Sequence, residues 1–247
     1  MRDRSHPLEK NIAVFNADVA THGGYVYTAN DRWSSRYATG RQTVELIRML
    51  AENFPTSIRI VDIGCGDGTS TMEIAERFTP TAIRGIDPAS NAIERARARI
   101  PSRLRARISF EIGDFYDVES KGELVAVARG VLHHLDRPQA AISQLAKQFT
   151  AVIALEPNGY NPAMKIIEKT SAYHRQHDEK SYWPPTLSRW FKQEGFSVVA
   201  QKYFCLVPYF CPTQLSKILS IAEPAFESLP VVRQICCGTN LVLYAQQ

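Results

Sequence analysis

Short apolar runs alternate along the chain with stretches in which apolar residues recur every three or four positions. The runs predict strands and the amphipathic stretches predict helices. Strands are predicted at 58–63, 81–86, 107–112, 123–128, 150–155, 196–204 and 239–244, and helices at 40–53, 69–78, 89–100, 138–149 and 185–194. This alternation is typical of an α/β fold, in which a seven-stranded, mostly parallel sheet carries helices on both faces.

Two connections in this pattern, 157–184 and 206–238, are longer than ordinary loops. Insertions of that length in an α/β domain tend to be lids or binding elements. The first one leaves the carboxyl end of a strand, where open parallel sheets bind their ligands, so we predict a cap over the substrate. The second is unusually apolar. It favours a lid packed on the sheet or a dimer face, and leaves open a tunnel for an apolar substrate or contact with a membrane surface.

A chain of 247 residues is long enough to bury the core of one α/β domain. We predict a single domain over 1–247, opened by a helical segment at 1–55 that closes over the ligand. The ligand-binding core spans 56–156, the inserted cap spans 157–184, and the C-terminal part of the sheet spans 185–247 with the apolar insertion inside it.

The most informative motif follows the first predicted strand. An acid, Asp62, precedes three glycines at every second position, Gly64, Gly66 and Gly68, and Thr69 then opens a helix. Glycines allow a sharp turn and a close approach of the backbone to a ligand, and the helix start points free N–H groups into the same space. The motif therefore predicts a nucleotide-like ligand.

The glycine spacing narrows the identity of that ligand. Dinucleotide folds carry G-x-G-x-x-G, whereas residues 62–68 read D-x-G-x-G-x-G. This resembles motif I of the class I S-adenosylmethionine-dependent methyltransferases. In that family the glycine loop wraps the methionyl part of the cofactor, and an acid at the position of Asp62 lies close to its amino group.

Three downstream motifs strengthen the resemblance. Asp87-Pro88 ends the second strand, where an acid can accept both ribose hydroxyls. Gly113-Asp114-Phe115 ends the third and resembles the element that contacts adenine. The segment 128–135, with its adjacent histidines, resembles the "HHL…P" segment of the ubiquinone and menaquinone methyltransferase-like superfamily of small-molecule type. Asp136 is a candidate N-cap for the helix that follows. The motifs cover 58–156 in the family's order.

The resemblance implies a Rossmann-like fold with S-adenosyl-L-methionine as cofactor and S-adenosyl-L-homocysteine as product. In many class I enzymes an N-terminal segment also covers the cofactor, with Tyr near the methyl group and Arg on the carboxylate. An aromatic and basic cluster including Tyr25, Tyr27 and Arg36 suits that role, and Arg41 is a second candidate for the carboxylate, although ordinary packing explains the cluster nearly as well. The predicted cofactor-binding residues are Asp62, Gly64, Gly66, Gly68, Thr69, Asp87, Pro88, Gly113, Asp114, Phe115, Arg129, Arg36 and Tyr27.

Four histidines are candidate catalytic residues. His133 and His134 follow the fourth strand, near the expected position of the methyl group, although the pair recurs in the superfamily across unlike reactions. His174 and His177 lie in the inserted cap near Glu179, in a spacing that also fits a solvated helix face. A hydroxyl nucleophile would benefit from a histidine base. Methyl transfer needs no cation, so we predict no metal site.

The leading hypothesis is methyl transfer to O or C of a small, apolar or aromatic organic acceptor, of a natural-product, isoprenoid or lipid-like kind. Methyltransferases of amino groups on adenine or glutamine carry N/D-P-P-Y/F after the fourth strand, where this chain has residues 129–132, Arg-Gly-Val-Leu. One alternative is an RNA methyltransferase, supported only by the arginine-rich stretch 95–107. Another is a partner protein that binds S-adenosylmethionine without turnover.

Composition adds the class of protein. Hydrophobic residues make up 45% of the chain, charged residues 22%, and the net charge is +4, which is typical of a globular protein. Five cysteines without zinc spacing, a charged N-terminus and the lack of a long apolar run predict a cytoplasmic chain without a signal or transmembrane segment. We expect a small-molecule substrate, no nucleic acid, and a biosynthetic role. Monomer, homodimer and peripheral membrane contact stay open.

Overall fold

The computed structural model describes residues 12–13, 16–17, 32–170 and 180–247. Its elements, in chain order, are α1 (Trp33–Asn53), β1 (Arg59–Ile63), α2 (Thr69–Arg77), β2 (Ala82–Asp87), α3 (Ser90–Arg99), β3 (Ile108–Ile112), β4 (Val125–Arg129), α4 (Pro138–Gln148), β5 (Ala151–Pro157), α5 (Pro162–Thr170), α6 (Pro184–Gln193), β6 (Phe196–Phe204), α7 (Thr213–Ser228), α8 (Pro230–Cys236) and β7 (Thr239–Gln246).

All seven strands form one sheet in the order β3-β2-β1-β4-β5-β7-β6. The pairs among β1 to β5 are parallel, whereas β7 runs antiparallel to both β5 and β6. The predicted α/β fold with a mostly parallel sheet is confirmed. Strands β1 to β3 are added towards one edge of the sheet, and β4 is then added on the other side of β1. This reversal of strand order creates a crevice beyond the carboxyl ends of β1 and β4.

Helices cover both faces of the sheet, as predicted. Successive strand residues point to opposite faces, so Ile60 joins the core under α1, α2 and α3, and Val61 joins the core under α4 and α6. On the second face Phe191 stacks on Tyr244 with ring centroids 3.8 Å apart. The central strands are thus buried on both faces, and the strand ends are left to form a ligand site.

Two local expectations are corrected. Helix α1 begins at Trp33 and not near residue 40, because the hydroxyls of Ser34 and Ser35 both donate to the carbonyl of Tyr209 and are buried there. Asp136 does not cap α4: the N-cap position is Arg137, without a side-chain cap, and Asp136 accepts from the hydroxyl of Tyr116 at 2.5 Å.

The apolar insertion folds as α7 and α8. Glu223 on α7 is buried and forms an ion pair with Arg41, whose Nε lies 2.9 Å from its carboxylate. It accepts hydrogen bonds from the Tyr37 hydroxyl at 2.9 Å and from the Leu206 N–H at 2.8 Å. Both carboxylate oxygens of Glu227, one turn later, accept from Arg41 Nη2. These contacts fasten α7 to α1 and to the end of β6. Among the described helices, none is long and apolar enough to cross a bilayer.

Candidate active site

A cavity of about 320 Å³ opens at the carboxyl ends of β1, β2, β4 and β5. This volume lies within the usual range for small-molecule sites. The glycine loop after β1, the end of β4, helix α5 and the segment 205–210 after β6 all contribute to its wall. Predicted residues that line it are Asp62, Gly64, Gly66, Thr69, Asp87, Pro88, Phe115, Arg129, His133 and His134.

The three glycines of the loop all have a left-handed backbone, with φ of 71° at Gly64, 55° at Gly66 and 75° at Gly68. A Cβ on Gly64 would lie 2.5 Å from Val131 Cγ2, so the loop packs directly on the segment that follows β4. Gly68 does not line the cavity. A Cβ there would lie 2.4 Å from Phe110 Cζ, which shows that this glycine lets α2 begin against β3.

Asp87 fixes the loop from the neighbouring strand. Its carboxylate accepts from the Gly66 N–H at 2.9 Å and from the Ala89 N–H at 2.9 Å, and the residue is buried. The acid at the end of β2 therefore both faces the cavity and sets the course of the glycine loop. Asp67, which sequence reasoning passed over, closes the same loop by accepting from the Thr69 hydroxyl at 2.8 Å and from Arg99 at 3.0 Å.

Asp62 is the second carboxylate of the cavity. Burial raises its pKa to about 6, while the hydroxyl of Thr71, which donates to it at 2.5 Å, and the charge of Arg129 act in the opposite direction. A cation that binds beside this buried carboxylate would favour its charged form and lower its pKa again.

Arg129 links the cavity to α1. Its guanidinium donates to the Ser70 hydroxyl at 2.7 Å, the Thr43 hydroxyl at 3.0 Å, the Gln42 side-chain oxygen at 3.1 Å and the Thr39 carbonyl at 3.2 Å. The predicted N-terminal cover thus contacts the cavity through the polar side chains of α1.

The element after β3 lies at the edge of the cavity. Phe115 lines it and is buried against the glycine loop, since a Cβ on Gly64 would lie 3.3 Å from its ring. Asp114 and Gly113 lie outside the wall; Asp114 is half-buried, and burial raises its pKa.

His133 is held by a residue that sequence reasoning did not single out, Glu156 at the end of β5. The Glu156 carboxylate lies 2.7 Å from His133 Nδ1 and accepts the N–H groups of Val131, Leu132 and His133 at 2.9–3.2 Å. Both side chains are buried. Only the position of Glu156 at a strand end could have signalled this role. The contact with Glu156 fixes the orientation of the His133 ring through Nδ1.

The opposite wall of the cavity is mostly apolar. It comes from helix α5 and from the segment 205–210. That segment is tethered to α7, because the Leu206 N–H donates to Glu223. Cys205 begins that segment with φ of 68°, and its N–H donates to Glu227 at 3.0 Å. The apolar lining residues are Ala163, Met164, Ile167, Leu206, Val207, Pro208 and Phe210.

Some predicted residues lie elsewhere. Arg36 is exposed on α1 and does not line the cavity. Arg41 is bound to Glu223 and Glu227, which removes it as a carboxylate clamp. Tyr27, His174 and His177, together with Tyr25 and Glu179, lie outside the described residues.

Comparison with known proteins adds a family resemblance. Residues 60–156 match the family model of a methyltransferase domain. A magnesium-protoporphyrin O-methyltransferase from Rhodobacter capsulatus is 33% identical over 94 residues, which cover 36% of this chain and 41% of the relative. A trans-aconitate 2-methyltransferase from Rhizobium etli is 29% identical over 115 residues, 46% of this chain and 44% of the relative. The chain therefore aligns with less than half of the length of these curated relatives.

Solved structures match over more of the chain. Magnesium protoporphyrin IX methyltransferase from Synechocystis PCC 6803, crystallised with S-adenosylhomocysteine, superposes with a TM-score of 0.69 at 12% identity, over 95% of this chain and 99% of that one. Phosphoethanolamine N-methyltransferase 2 from Haemonchus contortus gives a TM-score of 0.63 at 14% identity, over 94% of this chain and 60% of that one. At sequence identities this low, the similarity shows a shared fold.

Proposed function

We propose that this chain, whose residues 60–156 match a methyltransferase domain, is a class I S-adenosylmethionine-dependent enzyme that transfers a methyl group to O or C of a small organic acceptor. The observation that carries the proposal is the convergence of Asp62, Asp87 and the left-handed glycine loop on one cavity. The relatives named above act on small molecules, which supports an acceptor of that size.

The residues of the cavity fit the proposed cofactor. The Asp62 carboxylate suits an ammonium group, and Asp87 suits a ribose diol, because ionised carboxylates are strong acceptors. Gly64 and Gly66 bring a left-handed backbone to the cavity wall, and buried Phe115 offers an apolar surface for a ring. When bound, S-adenosylmethionine supplies a methyl group on a positively charged sulfur with a neutral leaving group.

The chain's own contribution is to orient the acceptor, exclude water and accept a proton. In-line transfer depends chiefly on positioning. We assign the role of base to His133 Nε2, with Glu156 fixing the ring through Nδ1. His134 lines the same wall, and its ring centroid lies 4.0 Å from that of His133. An oxygen acid or an enol bound at this wall would lose its proton to His133.

The apolar wall favours an acceptor with substantial apolar or aromatic surface. Met164, Ile167 and Val207 offer dispersion contacts without hydrogen bonds. In the proposed complex the charged cofactor lies against the glycine loop, and the acceptor lies against α5 and the segment 205–210.

The proposal is tested by release of S-adenosylhomocysteine from S-adenosylmethionine over a panel of carboxylic, phenolic and enolic acceptors, with transfer RNA as a separate arm. We expect turnover with at least one small acceptor and none in Asp87→Ala. Turnover only with RNA would replace the small-molecule proposal. Binding without turnover on any acceptor would favour a partner protein that binds the cofactor.

A further inference from the structure

A second cavity, of about 350 Å³, lies at the opposite end of the sheet, around the amino-terminal halves of β1, β2 and β3. The glycine loop and the proposed methyl-transfer site are at the carboxyl ends of the same strands. The cavity is lined by five cationic side chains and two carboxylates. They are Arg59, Arg84, Arg105, Arg107, Lys121, Glu111 and Glu123.

The two carboxylates already have partners. Glu123 accepts from Arg84 Nε at 2.8 Å, and Glu111 accepts from Lys121 Nζ at 2.8 Å. The hydrogen bond from Lys121 is the main reason that the pKa of Glu111 is lowered, so this carboxylate is ionised and matched by its lysine. Arg84 also donates to the carbonyl of Glu119 at 2.7 Å. Arg84 and Lys121 are thereby neutralised within the protein.

The other three arginines are not neutralised. Within the described part of the chain, no carboxylate lies within ion-pair distance of Arg59, Arg105 or Arg107. Their backbones are fixed: Arg107 accepts from the Ile83 N–H at 2.8 Å and donates to the Leu104 carbonyl at 2.9 Å, and Arg59 is the first residue of β1. Three arginines without an ion-pair partner among the described residues therefore line one concavity.

Gly122, in the loop next to the cavity, lies close to the guanidinium group of Arg59. Gly122 has a left-handed backbone with φ of 96°, and a Cβ on it would lie 3.2 Å from Arg59 Nη1. A larger residue there would press on the guanidinium, so the glycine leaves it room to lie against the loop.

The structure separates these arginines from the rest of the arginine-rich stretch. Arg97 donates to the Phe110 carbonyl at 2.9 Å, Arg99 pairs with Asp67, and Arg103 pairs with Glu76. Arg95 is exposed on α3 and does not line the cavity. The stretch is therefore not one continuous basic surface.

We infer that the cavity lined by Arg59, Arg105 and Arg107 is a binding site for a small polyanion that carries two or more phosphate groups. Guanidinium groups match phosphate oxygens in bidentate geometry. None of the described residues that line the cavity is aromatic, so it lacks the stacking surfaces that single-stranded nucleic acid uses. A volume of about 350 Å³ also suits a small ligand better than an extended backbone.

Isothermal titration with inorganic tripolyphosphate tests this site, because the probe has no adenosine that could enter the other cavity. We expect one saturable site at about 0.15 M ionic strength, and at least about tenfold weaker binding in Arg59→Gln/Arg105→Gln, since each lost bidentate contact is worth more than a surface ion pair. Arg95→Gln is the matched control and should bind like the parent. Equal urea midpoints of unfolding establish that the variants are folded.

Three results would overturn the inference: no saturable binding by the parent chain, equal weakening in Arg95→Gln, or tighter binding of an RNA oligonucleotide than of tripolyphosphate through the same arginines. Because the measurement needs neither S-adenosylmethionine nor an acceptor, its failure is independent of the proposed methyl transfer.

Discussion

At the scale of single residues, the two carboxylates of the cavity have different tasks. Asp87 accepts two backbone N–H groups, which set the course of the loop, and keeps acceptor capacity towards the cavity, whereas Asp62 has one hydroxyl donor and a pKa raised to about 6 by burial. A carboxylate whose pKa lies near 6 titrates about two pH units above an ordinary aspartate. A buried Asp62 with so raised a pKa is explained if a cationic ligand binds beside its carboxylate.

A pH dependence of binding follows from Asp62. Below pH 6 the carboxylate takes up a proton, and a bound ammonium group would have to displace it. We therefore expect the affinity for S-adenosylhomocysteine to fall by up to about tenfold between pH 7 and pH 5. Calorimetry across this range measures it. In Asp62→Asn the dependence should vanish and the affinity should be low throughout; an unchanged pH profile in that variant would place the titrating group elsewhere.

A second prediction concerns Glu156. Glu156→Gln keeps the size of the side chain but removes the charge that lies 2.7 Å from His133 Nδ1. We expect kcat on the identified acceptor to fall by about 10- to 100-fold, which is typical of losing an oriented base. Without the carboxylate the ring is easier to deprotonate, so the acidic limb of the kcat profile should move to lower pH.

The affinity for S-adenosylhomocysteine is the control for Glu156→Gln, and it should stay within about twofold of the parent value. If kcat fell without any movement of the pH profile, Glu156 would hold only the backbone of 131–133, and His133 would not be the base.

At the scale of elements, the glycine loop depends on its conformation as well as on its size. Gly64→Ala puts a methyl group 2.5 Å from Val131 Cγ2 at a residue with φ of 71°. We expect a loss of about 1–3 kcal/mol in the free energy of unfolding, the usual range for a residue forced into such a conformation. Urea denaturation measures this loss, and cofactor affinity should fall with it.

Gly40→Ala is the matched control for that substitution. Gly40 is exposed within α1, has helical φ, and no atom lies within 4 Å of a Cβ placed on it. We expect a gain of about 0.5–1 kcal/mol, because alanine restricts the unfolded chain and suits a helix interior. Equal losses at both glycines would contradict the role assigned to the loop.

The tether of α7 makes a separate prediction. Glu223→Gln weakens the contacts with Arg41 and Tyr37 that hold α7 on α1. Removing one partner of a buried ion pair lowers the free energy of unfolding by up to about 3–5 kcal/mol. We expect faster proteolytic cleavage within 205–230 and a raised KM for the acceptor. Glu94→Gln, on the exposed face of α3, should behave like the parent; matching cleavage rates in the two variants would refute the tether.

At the scale of the whole molecule, the sequence predicted the half of the site whose residues are neighbours along the chain. The motif Asp62–Thr69 and the strand end at Asp87 could be recognised because short-range turn chemistry fixes them. The alternation of apolar runs with amphipathic stretches likewise predicted the sheet, because strands that are buried on both faces appear as continuous apolar runs.

The other half depends on contacts between distant residues. Arg41 and Glu227 are 186 positions apart, and the Glu156 carboxylate reaches back 25 positions to Val131. No periodic pattern reports such pairs. The same holds for Cys205, a residue type with no preference for its left-handed backbone, whose N–H donates to Glu227, 22 positions further along the chain.

The most direct measurement is calorimetric titration of the chain with S-adenosylhomocysteine and S-adenosylmethionine, beside NAD as the competing nucleotide. The account predicts one site per chain for both sulfur ligands with a Kd of about 1–100 μM, a modest affinity for a cofactor-sized ligand. It also predicts loss of binding in Asp87→Ala. No heat with either sulfur ligand, binding that survives Asp87→Ala, or tighter binding of NAD than of either would contradict it.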